Sequence, residues 1–135
     1  MTDSVPPIPR AARLLSVLVA DDNEALADML GTWLRAAGHE MRHASSGDEA
    51  AGKLLERIPD VLVTDILMTS GNGVDLIQYA RTLSPRPRII AMSGGSQMMG
   101  VNECLEIARN AGADLCLPKP FNPQELLAAL EKTNG

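Results

Sequence analysis

Residues 14–22 read Leu-Leu-Ser-Val-Leu-Val-Ala-Asp-Asp, a short apolar run that ends at two adjacent aspartates. Three further runs of this kind, rich in Val, Ile and Leu, begin at Val61, Arg88 and Ala113. Short runs of this composition are typical of parallel strands that are buried on both faces of a sheet. A less apolar run from His39 to His43 suits an edge strand.

Between these runs, apolar residues recur at the three- and four-residue spacing of amphipathic helices. The first such stripe consists of Leu26, Met29, Leu30, Trp33 and Leu34. Ser46 stands three residues before Glu49, which predicts a capping box at a helix N-terminus. Asn122 and Pro123 suit the first positions of the last helix, and Gly38 suits the end of the first. Strand and helix alternate five times, which predicts an α/β domain with a parallel sheet and helices on both faces.

Length and composition exclude several classes of function. The 135 residues suit one domain, which we expect over residues 13–135, behind a flexible Pro-containing tail at residues 1–12. A formal charge of -5 and only three aromatic residues argue against direct nucleic-acid binding. No apolar run approaches the roughly 18 residues of a membrane-spanning helix. The lack of a secretory signal and of a CxxC pair favours a cytoplasmic protein with reduced thiols.

Polar residues follow four of the five predicted strands at their carboxyl ends. These residues are Asp21 and Asp22 after the first strand, Asp65 after the third, Ser93 after the fourth and Lys119 after the fifth. Each has an ordinary structural explanation when taken alone, such as a helix cap or a turn. In open α/β sheets, however, ligands bind outside these strand ends. The agreement of four ends predicts three carboxylates, a hydroxyl and an ammonium in one cleft.

The chemistry of such a cleft follows from its charges. Three neighbouring carboxylates repel one another, and a divalent cation relieves the repulsion. Hard oxygen ligands favour Mg²⁺ or Mn²⁺ over zinc, and Lys119 adds a positive charge for an anion. A carboxylate in these surroundings is equipped to attack phosphorus and form an aspartyl phosphate. Asp65 is the best candidate nucleophile, with Asp21 and Asp22 as metal ligands.

The chain resembles the receiver domains of response regulators in two-component signalling. The resemblance rests on the order and spacing of Val-Leu-Val-Ala-Asp-Asp (17–22), Val-Leu-Val-Thr-Asp-Ile-Leu-Met (61–68), Ile-Ile-Ala-Met-Ser-Gly (89–94) and Ala-Gly-Ala-Asp-Leu-Cys-Leu-Pro-Lys-Pro-Phe (111–121). It implies a three-layer, flavodoxin-like fold with five helices and a five-stranded parallel sheet in the order 2-1-3-4-5. It extends over residues 14–133, so we expect a stand-alone receiver or a piece of a larger protein.

The resemblance also implies a role for each matching residue. Asp65 would accept a phosphoryl group from a histidine kinase or a histidine phosphotransfer protein, and Lys119 and Ser93 would contact that group. The Mg²⁺ ligands would be Asp21 (largely through water), Asp22, Asp65 and the backbone carbonyl of Leu67. The peptide bond from Lys119 to Pro120 would be cis, and Gly73 would allow backbone angles that other residues resist.

Phosphorylation would then alter a surface that binds a downstream protein partner. The chain would not be an enzyme beyond its own phosphotransfer and slow autodephosphorylation, and it would contact neither nucleic acid nor a membrane.

Two departures from the family pattern leave a second function open. Thr69 stands where the family usually has proline, and Cys116 stands where it usually has the Tyr or Phe that couples phosphorylation to output. They favour an alternative, a phosphorylation-independent interaction module with the same fold. Residues 93–100, rich in Gly and Met, are expected to be mobile. We interpret His39 and His43, four residues apart, as surface residues rather than a metal pair.

Overall fold

The computed structural model describes residues 14–68, 73–93 and 101–134. Its strands are Ser16–Ala20 (β1), Glu40–Ala44 (β2), Val61–Asp65 (β3), Arg88–Ser93 (β4) and Leu115–Pro118 (β5). Its helices are Glu24–Ala36 (α1), Gly47–Glu56 (α2), Gly73–Ala80 (α3), Val101–Ala111 (α4) and Pro123–Asn134 (α5). The expected alternation is confirmed. The predictions for the tail at 1–12, for Thr69 and for the loop at 94–100 lie outside the described residues.

All five strands are parallel, and their order is β2-β1-β3-β4-β5, as the resemblance implied. The central strand β3 is buried along its whole length, whereas β2 at one edge is largely half-buried. The register pairs Ala20 with Thr64, Asp65 with Met92, and Ser93 with Pro118. The carboxyl ends of β1, β3, β4 and β5 therefore meet at one edge of the sheet.

An aliphatic core lies on each face of the sheet because successive strand residues point to opposite faces. Leu18 and Leu62 belong to the cluster that contains residues of α2, α3 and α4. Val17 and Val63 belong to the cluster that contains residues of α1 and α5. In the described part of the chain, no helix has the length and apolar character needed to span a membrane.

Side-chain caps define where two of the helices begin. The Ser46 hydroxyl accepts the Glu49 N–H at 3.0 Å, and the Glu49 carboxylate accepts the backbone N–H of Ser45 at 2.7 Å. This capping box therefore reaches one residue further back than predicted. At α5, Asn122 and Glu125 each accept the other's backbone N–H, at 2.8 and 3.0 Å. Both motifs satisfy N–H groups that a helix cannot satisfy within itself.

The buried face of α1 differs from the predicted stripe. Met29 is 42% exposed, whereas Ala27 and Gly31 are buried with Leu30 and Leu34. The buried residues keep the expected helical spacing but include the two small residues. The prediction was wrong at Met29 because it counted large apolar side chains, while the packed face of a helix also includes small ones.

Candidate functional site

Three carboxylates meet at the carboxyl edge of the sheet. Asp21 and Asp22 follow β1 and Asp65 ends β3, and one carboxylate oxygen from each lies within 4.8 Å of the others. Asp21 is fully buried and Asp65 is 8% exposed, whereas Asp22 is exposed. The structure thus brings together the three acids that the strand-end pattern singled out.

Lys119, which follows the edge strand β5, also contacts this cluster. Its Nζ atom lies 3.1 Å from Asp21 Oδ2 and 3.1 Å from Asp65 Oδ2. Its backbone N–H donates to the carbonyl of Ser93 at 2.8 Å, which ties the chain after β5 to the end of β4. The Lys119–Pro120 peptide bond is cis, as the resemblance implied.

The electrostatics of the site follow from burial and from the imbalance of charge. Burial raises the pKa of the Asp65 carboxyl; Lys119 opposes this effect, and the neighbouring Asp21 adds to it. Burial lowers the pKa of Lys119, but the Asp65 and Asp21 carboxylates outweigh it, so the lysine pKa stands above its ordinary value. Lys119 is therefore an ammonium, and it balances one of the three carboxylates.

This donor set fits a hard divalent cation. Carboxylate oxygens from three residues stand within a few ångströms of one another, and two of the three residues are buried. One ammonium leaves two negative charges in excess when all three acids are ionised. Carboxylate oxygens suit Mg²⁺, which proteins commonly bind through one or two carboxylates.

Asn23 caps the start of α1. Its side chain accepts the Leu26 N–H at 3.1 Å. The backbone N–H of Asn23 in turn donates to Asp21 Oδ1 at 2.8 Å. The cap of α1 thereby supports Asp21.

The chain after Asp65 is held close to the strand end. The Leu67 N–H donates to Asp65 Oδ1 at 3.3 Å, and the Gly73 N–H donates to the Ile66 carbonyl at 3.2 Å. The Leu67 side chain is 43% exposed. Ser93 is buried at the end of β4, one residue after Met92, the register partner of Asp65. The predicted Leu67 and Ser93 therefore lie on segments that adjoin Asp65.

Gly73 is needed for space rather than for backbone freedom. A Cβ atom at this position would overlap the backbone carbonyl oxygen of Asp65. Among the described residues, the glycines with left-handed backbone are Gly38 and Gly112, at φ 91° and 112° after α1 and α4. The reason expected for Gly73 was therefore wrong: α3 begins against the backbone of the site residue itself.

His39 and His43 are half-buried, and each bonds the backbone. His39 Nδ1 accepts the Leu15 N–H at 3.0 Å, and burial lowers the pKa of that imidazole. His43 Nε2 lies 2.8 Å from the backbone oxygen of Asp21. Sequence reasoning missed this second contact because nothing local to His43 indicates it.

Cys116 lies on β5, opposite Ala91 of β4. Its half-buried side chain belongs to the wall of a cavity of about 340 Å³ between the end of α4 and the start of β5. Burial raises the pKa of the thiol, and the Arg109 guanidinium opposes the shift. In the described part of the chain this thiol forms no disulfide.

Comparisons with known proteins agree with this geometry. The protein-family model of the response regulator receiver domain matches residues 17–131 of the chain. The chemotaxis protein CheY of Thermotoga maritima is 34% identical over 119 residues, which cover 87% of this chain and 96% of that protein. The DNA-binding transcriptional regulator NtrC of Azospirillum brasilense is 32% identical over 117 residues, which cover 87% of this chain and 24% of that protein.

A solved structure shows the same likeness. The CheY-like response regulator receiver domain protein of Methanospirillum hungatei superposes with a TM-score of 0.80 at 27% identity, over 90% of this chain and 94% of that chain. The chain thus spans nearly the whole of two of these relatives and about a quarter of NtrC.

Proposed function

Because the chain belongs to the response regulator receiver domains of two-component signalling, we propose that Asp65 accepts a phosphoryl group from a phosphohistidine. The donor is a histidine kinase or a histidine phosphotransfer protein. The observation that carries the proposal is the position of Asp65, buried at a central strand end with Lys119 Nζ 3.1 Å from its Oδ2. The cluster with Asp21 and Asp22 supports it.

The transfer is a substitution at phosphorus. An oxygen of the Asp65 carboxylate attacks, the P–N bond to the donor histidine breaks, and its electron pair passes to the imidazole nitrogen, which takes a proton. An acyl phosphate forms on Asp65. Lys119 then turns its charge toward the phosphoryl oxygens. The Ser93 hydroxyl donates a hydrogen bond to the attached group.

Mg²⁺, or Mn²⁺ in its place, would complete the charge balance of the site. The residues that would hold the cation are Asp21 (largely through water), Asp22, Asp65 and the backbone carbonyl of Leu67. When bound, the cation offsets negative charge on the phosphoryl oxygens. The three carboxylates against one ammonium support this assignment, because the site's own residues leave two negative charges to be neutralised.

The output is a change in protein binding. In this proposal the functional unit covers residues 13–135 and works in the cytoplasm. Phosphorylation changes how the exposed sides of α4, β5 and α5 bind a downstream protein. The chain catalyses only its own phosphotransfer and slow autodephosphorylation, and it contacts neither nucleic acid nor a membrane.

Acetyl phosphate with Mg²⁺ tests the proposal directly. Intact-mass spectrometry should show one added phosphoryl group on the wild type, none on Asp65→Asn, and one on the control Asp48→Asn, whose acid lies on α2 outside the cluster. Beryllofluoride should bind to the same site. If neither reagent modifies the wild type, the phosphorylation-independent module is the better interpretation, which Cys116 at the usual aromatic position already favours.

A further inference from the structure

His43 connects the edge strand β2 to the backbone of the aspartate cluster. Its Nε2 atom lies 2.8 Å from the backbone oxygen of Asp21, and the Asp21 N–H donates to the carbonyl of Ala44 at 3.0 Å. The last two residues of β2 therefore hold the backbone on both sides of the Asp21 Cα. Because a carbonyl oxygen only accepts hydrogen bonds, His43 Nε2 carries the proton in this contact.

The Asp21 carbonyl belongs to the peptide unit that links Asp21 to Asp22. A peptide unit is planar and rigid, so a hydrogen bond to its oxygen fixes the orientation of the whole plane. That orientation sets the direction in which the chain leaves β1 at Asp22. His43 therefore acts through the backbone on the relative placement of two of the three clustered carboxylates.

We propose that His43 is a positioning residue for the divalent-cation site, and that its Nε2–H orients the Asp21–Asp22 peptide so that both carboxylates face Asp65. The inference rests on the proposed function, since it requires a cation to bind there. The half-buried position of His43 shields the hydrogen bond from water, which strengthens it. Hydrogen bonds that hold metal ligands in the right orientation commonly increase the affinity of a site for its metal.

Mn²⁺ binding, followed by the electron paramagnetic resonance signal of the free ion, distinguishes orientation from simple packing. His43→Leu keeps a comparable apolar volume but has no N–H, and it should weaken Mn²⁺ binding about tenfold, as is typical when such an outer contact is lost. His43→Gln presents an amide N–H in place of Nε2–H and should return the affinity close to the wild-type value.

His39→Leu is the matched control. His39 is also half-buried and bonds the backbone, but it does so before β2 begins, at the end of the sheet away from the cluster. The His39→Leu variant should therefore bind Mn²⁺ with the affinity of the wild type. Equal affinity of the wild type and His43→Leu, or a His43→Gln variant as weak as His43→Leu, would overturn the inference. A wild type that binds no Mn²⁺ would overturn the proposed cation site, and the inference with it.

Nitrogen-15 NMR of the wild-type imidazole provides a second measurement, which does not depend on the folding of any variant. The His43 Nε2–H should be observed with slow solvent exchange, and its resonance should shift when Mg²⁺ is added. A neutral His43 whose proton resides on Nδ1 would contradict the hydrogen bond to Asp21 and overturn the inference.

Discussion

At the scale of single residues, Asp65 combines burial with a repelling neighbour. Removal from water raises the pKa of its carboxyl, Lys119 opposes the shift, and Asp21 reinforces it. Without a cation, the folded protein therefore holds the Asp65 proton more tightly than the unfolded chain does. A bound cation and a proton relieve the same electrostatic penalty, which links the stability of the site to its occupancy.

Asp65→Asn should therefore stabilise the cation-free protein at neutral pH, by on the order of 1 kcal/mol. Since the folded-state pKa is raised, the wild type loses stability as the pH rises from the ordinary aspartate pKa through the raised value. The Asn variant should lack this decline. Urea unfolding in EDTA across the acidic-to-neutral range measures both effects. A variant less stable than the wild type at neutral pH would mean that the ion pair with Lys119 outweighs burial.

Cys116 should be a slow nucleophile in the folded protein. Because burial raises its pKa, less thiolate is present at a given pH than in the unfolded chain. In a Cys104→Ser background, where Cys116 is the only thiol, the rate of alkylation by iodoacetamide should reach half its maximum at a higher pH in the folded protein than in urea. A folded-state midpoint equal to or below the unfolded one would show that Arg109 dominates.

At the scale of the elements, α3 begins at a glycine that lies against the backbone of Asp65 and Ile66. Gly73→Ala should destabilise the fold by about 2 kcal/mol or more, because the new methyl group overlaps backbone that cannot move without displacing Asp65. Gly52→Ala on α2 is the matched control: nothing lies within 4 Å of the new methyl, so it should stabilise by about 0.5–1 kcal/mol through helix propensity. Chemical unfolding of both variants checks the pair, and equal effects would contradict the steric argument.

The edge strand β2 also supports a helix through a side chain. Arg42 Nη2 donates to the Arg57 carbonyl at 2.7 Å, and Nη1 donates to the Lys53 carbonyl at 3.3 Å. The Arg57 carbonyl belongs to the C-cap residue of α2, and the Lys53 carbonyl also accepts the Arg57 N–H at 3.1 Å. The guanidinium thus adds donors to the carbonyls at this helix end and complements the negative end of its dipole. Together with His43, it makes β2 a source of side-chain supports for its neighbours.

At the scale of the whole molecule, the proposed cation site joins strand ends that only the folded state brings together. Mg²⁺ at ten times its Kd should raise the free energy of unfolding of the wild type by about 1.4 kcal/mol in a single transition. Asp22→Asn should reduce this gain, because it removes an exposed ligand and leaves the core intact. Asp48→Asn is the control and should keep the full gain. Equal stabilisation of Asp22→Asn and the wild type would exclude Asp22 as a ligand.

The sheet, and the edge of it that carries the candidate site, could be predicted because the sequence signals for each element lie within that element. Each strand is a short apolar run, each helix has its own spacing and caps, and the parallel arrangement places polar residues at a common edge. Boundaries were less exact: β1 begins at Ser16, and Leu14 is 70% exposed although it belongs to the predicted run. An apolar run shows which residues can be buried, but not which of them the neighbouring elements cover.

The sequence by itself determined the alternation of strands and helices, the acids and lysine of the site, and the family. Only the tertiary structure decided how those groups are held. Lys119 bridges two carboxylates that lie 98 and 54 residues away in the chain, and His43 supports Asp21 from a neighbouring strand. Gly73 is required by contact with Asp65 backbone. Such contacts depend on how elements pack across the sheet, and periodicity within one segment carries no information about the atoms of another.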